Sequence, residues 1–217
     1  MPYPVALKVD RPEKLSRLTT FFRFFMVIPQ AIVFAFVSIA AYVIYFLSWW
    51  AIIFTGNYPQ TFFKFVTWWF RWSVRLSGYM FLLTDKYPPF TGDSGVVYPI
   101  GVEVETPGKL SRLTTFFRFP IAPSWNFDPL KGQGNWSWTG SPGWPMTIPH
   151  TIVLFFLGIA AAVILFLAWW AIVFTGRYPE TFFNYVTWYF RWTTRVGGYS
   201  YLFTDKYPPF SGAEEVD

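Results

Sequence analysis

Four arginines are the residues of this chain best suited to chemistry. Arg71 and Arg75 stand four apart, and Arg191 and Arg195 repeat that spacing, so each pair shares one helical face. Lys64 lies seven residues before Arg71 on the same stripe. A guanidinium is a planar fork that grips phosphate or carboxylate through two parallel hydrogen bonds. These five residues are candidates for holding an anionic headgroup, an anionic solute or an acidic group of a partner. The plainer alternative is interfacial anchoring beside Trp68, Trp72, Trp188 and Trp192.

Little else in the sequence points to chemistry. The chain has no cysteine, which excludes disulfides, thiolate catalysis and cysteine-ligated metal. His150 is the one histidine, and Gln30 takes its place in the repeat described below. A lone histidine at a helix start reads as an interfacial polar residue, with ligation of a pigment left open. Asp85 and Asp205 each stand beside a lysine in a proline-rich TDKYPPF segment and read as turn residues rather than acid–base groups. No glycine-rich phosphate loop and no GxSxG turn occurs. The expectation is a protein that is not an enzyme and uses no metal and no cofactor. The net charge of +5 is too small to argue for nucleic acid.

The elements that would position these residues come twice. KLSRLTTFFRF occurs at Lys14–Phe24 and at Lys109–Phe119, and TDKYPPF at Thr84–Phe90 and Thr204–Phe210. Trp49–Phe63 matches Trp169–Phe183 almost residue for residue. The chain divides into a first membrane repeat at 1–95 and a second at 96–217, the second carrying a Pro-, Gly- and Trp-rich insertion at about 120–144. Each repeat opens on alternating apolar residues (Val5, Leu7, Val9; Ile100, Val102, Val104), the period of a short strand. A stripe of Leu15, Leu18, Phe22 and Phe25 with basic neighbours predicts an amphipathic interfacial helix, and Pro29 and Pro149 mark the turn into the bilayer. Ile28–Phe54 and Ile148–Phe174 then run without a charge, longer than the roughly 20 residues that span hydrocarbon.

The segments 59–83 and 179–203, which carry the arginines, admit two readings. In the favoured one they cross back, giving two pseudo-symmetric helical hairpins with four membrane-embedded helices. Identical flanking motifs then lie on one side, and Lys and Arg outside the hairpins put both termini in the cytoplasm. In the other they lie flat at the interface, which avoids about 3 kcal/mol for each mid-bilayer arginine, and the two copies insert in opposite orientations. Trp125, Trp136, Trp138 and Trp144 of the insertion are costly to leave in water and are expected to pack on the membrane surface or a partner.

The combination of YPV near the start, KLSRLTTFFR, a long apolar helix, TGxYP, FRW and a closing TDKYPPF resembles the bacterial membrane proteins classed under domain of unknown function 4389. The resemblance implies a bacterial cytoplasmic (inner) membrane location and brings no activity or site residue. The whole reads as an all-α, multi-pass membrane protein with amphipathic lead-in helices and short strands. Its expected role is an accessory or scaffold subunit of a larger membrane complex, with membrane lipids and partner subunits as its contacts. The alternative is transport or lipid handling through the arginine stripe.

Overall fold

The structure, a computed structural model, describes residues 3–119, 124–128, 133–137, 144–145 and 147–214. The first copy consists of strand β1 (Val5–Val9), helix α1 (Arg17–Thr55) and helix α2 (Gln60–Met80). The second has strand β2 (Ile100–Val104), helix α3 (Arg112–Phe117), helix α4 (Ile148–Thr175) and helix α5 (Glu180–Ser200). Between α3 and α4 the insertion forms short strands. β3 (Arg118–Phe119) pairs antiparallel with β6 (Trp144–Pro145), and β4 (Ser124–Asp128) with β5 (Gln133–Ser137). Mostly helical hairpins with one short strand per copy are what the apolar pattern predicts.

One expectation needs correction. The amphipathic lead-in and the apolar helix of the first copy are a single helix of 39 residues, with Pro29 inside it. The Ser16 side chain accepts the Thr19 N–H and starts that helix. A proline there removes one backbone bond, yet both flanks are tied down, Arg23 and Gln30 being bonded to the segment after α2. In the second copy the insertion separates the two pieces, and Pro149 occupies the first turn of α4, where its missing N–H is no loss. Both long helices end at a left-handed glycine, Gly56 (φ 73°) and Gly176 (φ 71°), whose amides bond Ile52 and Ile172 carbonyls at 2.7 Å.

The copies interlock by a pseudo-two-fold. β1 and β2 pair antiparallel, with Val5 opposite Val104 and Val9 opposite Ile100, so exchanging the copies returns the same pairs. The Leu15 amide bonds the Gly176 carbonyl at 2.9 Å, and the Leu110 amide bonds the Gly56 carbonyl at the same distance. Trp49 Nε1 donates to the Thr115 carbonyl and Trp169 Nε1 to the Thr20 carbonyl. The start of α1 therefore lies beside the end of α4, and the end of α1 beside α3. The two long helices run antiparallel.

Three layers result. α2 packs on α1 and α5 on α4, and the β1–β2 sheet lies on the far side of α2 and α5. On α1, Thr20, Arg23, Val27, Gln30, Ala41, Tyr45, Ser48, Trp49 and Ile52 make a buried stripe at helical spacing. The opposite face, from Leu18 (70% exposed) through Phe36 (71%) to Phe54 (68%), is apolar and exposed for its whole length. α4 shows the same pattern. α1 and α4 are the two described helices long and apolar enough to cross a membrane, and only 17% of the apolar window of each is buried, unlike a core helix of a soluble protein. α2 and α5, also expected to be membrane-embedded, are instead covered on both sides.

Candidate functional site

The arginine stripe lies on the face of α2 that points away from α1. Trp69 stacks on Phe34 of α1 and donates to Ser38 Oγ. On the opposite side, Trp68, Arg71, Arg75 and Gly78 receive the segment after the helix and strand β2. Arg75 is buried and donates from its two terminal nitrogens to the Thr91 carbonyl at 2.9 Å and the Asp93 carbonyl at 2.7 Å. Arg195 repeats this on the Ser211 and Ala213 carbonyls, at 2.9 and 2.8 Å. Arg71 Nε donates to the Val102 carbonyl of β2 at 3.3 Å, and Arg191 pairs with Glu214 at 3.1 Å. Burial pulls Arg71 and Arg75 below the ordinary arginine value. Lys64 is exposed near the hairpin tip. Arg75 and Arg195 thus clip the closing segment of their own copy onto its second helix, while Arg71 reaches the strand of the other copy.

The most deeply buried charges are different ones, Arg23 and Arg118, which occupy the same place in the two KLSRLTTFFRF motifs. Arg23 donates to Asp85 at 2.6 Å and to the Tyr79 carbonyl, and its guanidinium lies 4.4 Å from the Tyr79 ring centre. Arg118 is fully buried and pairs with Asp205, the Thr204 carbonyl (2.9 Å), the Tyr199 carbonyl (3.2 Å) and Thr114 Oγ1 (3.1 Å), over the Tyr199 ring at 4.1 Å. The second carboxylate oxygen of each aspartate accepts the helix-start amide, Asp85 from Ser16 and Asp205 from Ser111. KLSRLTTFFRF and TDKYPPF are therefore the two halves of one clasp. Asp85 and Asp205 are more than turn residues. The signal that could have linked them was in the sequence: a basic residue and an aspartate each recur in identical motifs, and an Arg buried among phenylalanines needs a carboxylate.

His150 and Gln30 are a third symmetric pair. Gln30 Nε2 donates to the Pro88 and Pro89 carbonyls at 3.2 and 3.1 Å. His150 is fully buried, its Nδ1 accepts from Trp192 Nε1 at 3.0 Å, and its ring stacks on Phe210 at 3.9 Å. Both fasten the PPF end of TDKYPPF to the first helix of the copy. In the insertion, the backbones of Trp125 and Trp136 are directly opposite in the β4–β5 register and Trp144 lies in β6. Trp138 lies outside the described residues. No group of three or more His, Cys, Asp or Glu that would suit a metal occurs among the described residues.

In the first copy a family model takes in Arg23, the second helix and the TDKYPPF turn; in the second copy its match begins after Arg118 and the insertion and takes in the second helix and the turn. The model described as Domain of unknown function (DUF4389) matches residues 17–92 and again 145–212. No curated protein and no solved structure matches the chain. Two matches of this extent cover more than half of the sequence, and the chain belongs to the DUF4389 family, of which it holds two tandem copies.

Proposed function

We propose that this protein is a non-catalytic component of the bacterial cytoplasmic membrane, an accessory or scaffold subunit of a larger membrane assembly. One observation carries the reading: beyond Arg17 at its rim, the exposed surface of α1 and α4 is an apolar face without charge, while the buried ionisable groups are engaged in clasps that hold the fold together. A face of this size belongs against lipid or another membrane protein. The tryptophans of the insertion, at Trp125, Trp136, Trp138 and Trp144, have no counterpart in the first copy and suit a single partner. Anion binding at Arg71, Arg75, Arg191 and Arg195 has less support, since the terminal nitrogens of Arg75 and Arg195 already meet backbone carbonyls.

Native purification in mild detergent followed by mass spectrometry of the intact assembly tests this. The expected result is a second protein at fixed stoichiometry, lost when the four insertion tryptophans are replaced by serine. Recovery of the chain alone from every preparation would refute the subunit role.

A further inference from the structure

We propose that the molecule lies in one leaflet of the bilayer, with α1 and α4 in the membrane plane, rather than crossing it. The inference rests on the membrane reading above and says how the apolar face meets the lipid.

The exposed apolar stripe of α1 runs from Leu18 to Phe54, which at 1.5 Å per residue is about 54 Å. The hydrocarbon core is about 30 Å thick. A helix crossing near the normal would leave about 24 Å of that stripe in headgroups and water. A helix lying in the interface keeps all of it against acyl chains.

Behind the apolar face lie α2 and the sheet. Trp69 contacts Phe34, Ser38 and Tyr42, so the middle of α2 runs beside the middle of α1. The β1–β2 sheet and the 91–93 segment pack on that part of α2, through Val102 against Arg71 and through Thr91 and Asp93 against Arg75. The sheet is open to solvent on its outer side, where Lys8 and Glu103 form an ion pair with both side chains 69% exposed. If α1 crossed the membrane, that sheet and ion pair would sit at mid-bilayer facing lipid. Irregular backbone, open sheet edges and exposed charges are not tolerated there. Turned by a right angle, the same slab puts its polar layer in water and its apolar layer in lipid.

At one end of the α1–α4 pair, Lys14, Arg17 and Arg177 are exposed, and at the other, Lys109 and Arg112. Both ends are basic, as suits a helix pair whose two ends reach the headgroups of one anionic surface. The pseudo-two-fold then lies along the membrane normal, and the identical motifs of the two copies face the same side. This replaces the four-span expectation while keeping both termini on one side.

The chain has no cysteine, so single cysteines report cleanly. Lys8→Cys, Asn57→Cys and Arg177→Cys are labelled with a membrane-impermeant maleimide in spheroplasts and in inverted vesicles. All three are expected to react in one preparation and none in the other. Asn57→Cys and Arg177→Cys reacting from opposite sides would overturn the proposal and leave the membrane reading standing. Nitroxides at Phe25, Phe36 and Phe54 provide the second measurement. Depths equal to within about 5 Å are expected, against a spread on the order of 15 Å for a crossing helix. If all three nitroxides are fully accessible to an aqueous relaxation agent, the membrane reading fails as well.

Discussion

Replacing Asp85 by alanine is expected to destabilise the purified protein by about 3–5 kcal/mol, the cost of leaving a buried cation without its counter-charge. Arg23 is 3% exposed, and once Asp85 is gone its contacts among the described residues are the Tyr79 carbonyl and ring. Ser16 loses the acceptor of its amide at the same time. Asp205→Ala is expected to cost less, because Arg118 retains the Thr204 and Tyr199 carbonyls and Thr114. The order of the two effects is itself informative, since it distinguishes a clasp from a general loss of acidic residues. Thermal unfolding in detergent reads both; a loss of about 3 kcal/mol lowers the midpoint by roughly 6–12 °C in a chain of this size. Arg23→Met combined with Asp85→Ala is expected to recover most of the loss, because no buried charge then remains.

The second large effect is expected at Gly92 and Gly212. A side chain on either would overlap the backbone carbonyl of the facing helix, at Trp68 and Trp188 respectively. Helix backbone cannot step aside as a flexible side chain can. Gly212→Ala should therefore lift the closing segment from α5 and pull the Ser211 and Ala213 carbonyls off Arg195. Overpacking alone costs about 1–3 kcal/mol, and the uncovered arginine adds to it. A Cβ at Gly95 would meet nothing within 4 Å, so Gly95→Ala is the matched control, with an effect within about 0.5 kcal/mol. Limited proteolysis reads the difference: new cleavage after position 204 in Gly212→Ala, and none in Gly95→Ala.

Much of the local structure was legible because it rests on short-range physics. The 3.6-residue apolar period, the strand alternation at Val5–Val9 and Ile100–Val104, and the glycines closing both long helices are local signals, and each has its element. The duplication was equally plain. What could not be read was how distant parts meet. Arg23 and Asp85 are 62 residues apart, and beside Lys14 and Arg17 an arginine looks like one more headgroup contact. Arg75 and Arg195 are charges in an apolar helix, but their partners are main-chain carbonyls, which no residue type announces. Pro29 marked a boundary by propensity, yet the tertiary bonds of Arg23 and Gln30 on either side keep the helix whole. Leu82 and Leu202 adopt left-handed φ values of 63° and 64° in the buried turn after each second helix, where a sequence rule would ask for glycine. The reciprocal docking of each lead-in onto the other copy's hairpin tip is invisible in a repeat, since identical motifs satisfy a partner in either copy.

Reciprocal docking holds the two copies together, and the β1–β2 pair reports on it directly. Ala6 and Glu103 are register partners, both exposed. Residues directly opposite on antiparallel strands are close enough for a disulfide. With cysteines at both positions in an otherwise cysteine-free chain, mild oxidation of membranes should join them within one molecule, giving a faster-migrating monomer on a non-reducing gel. A disulfide that forms only between two molecules, or fails to form while each single variant remains folded and reactive, would contradict the interlocked pair of copies.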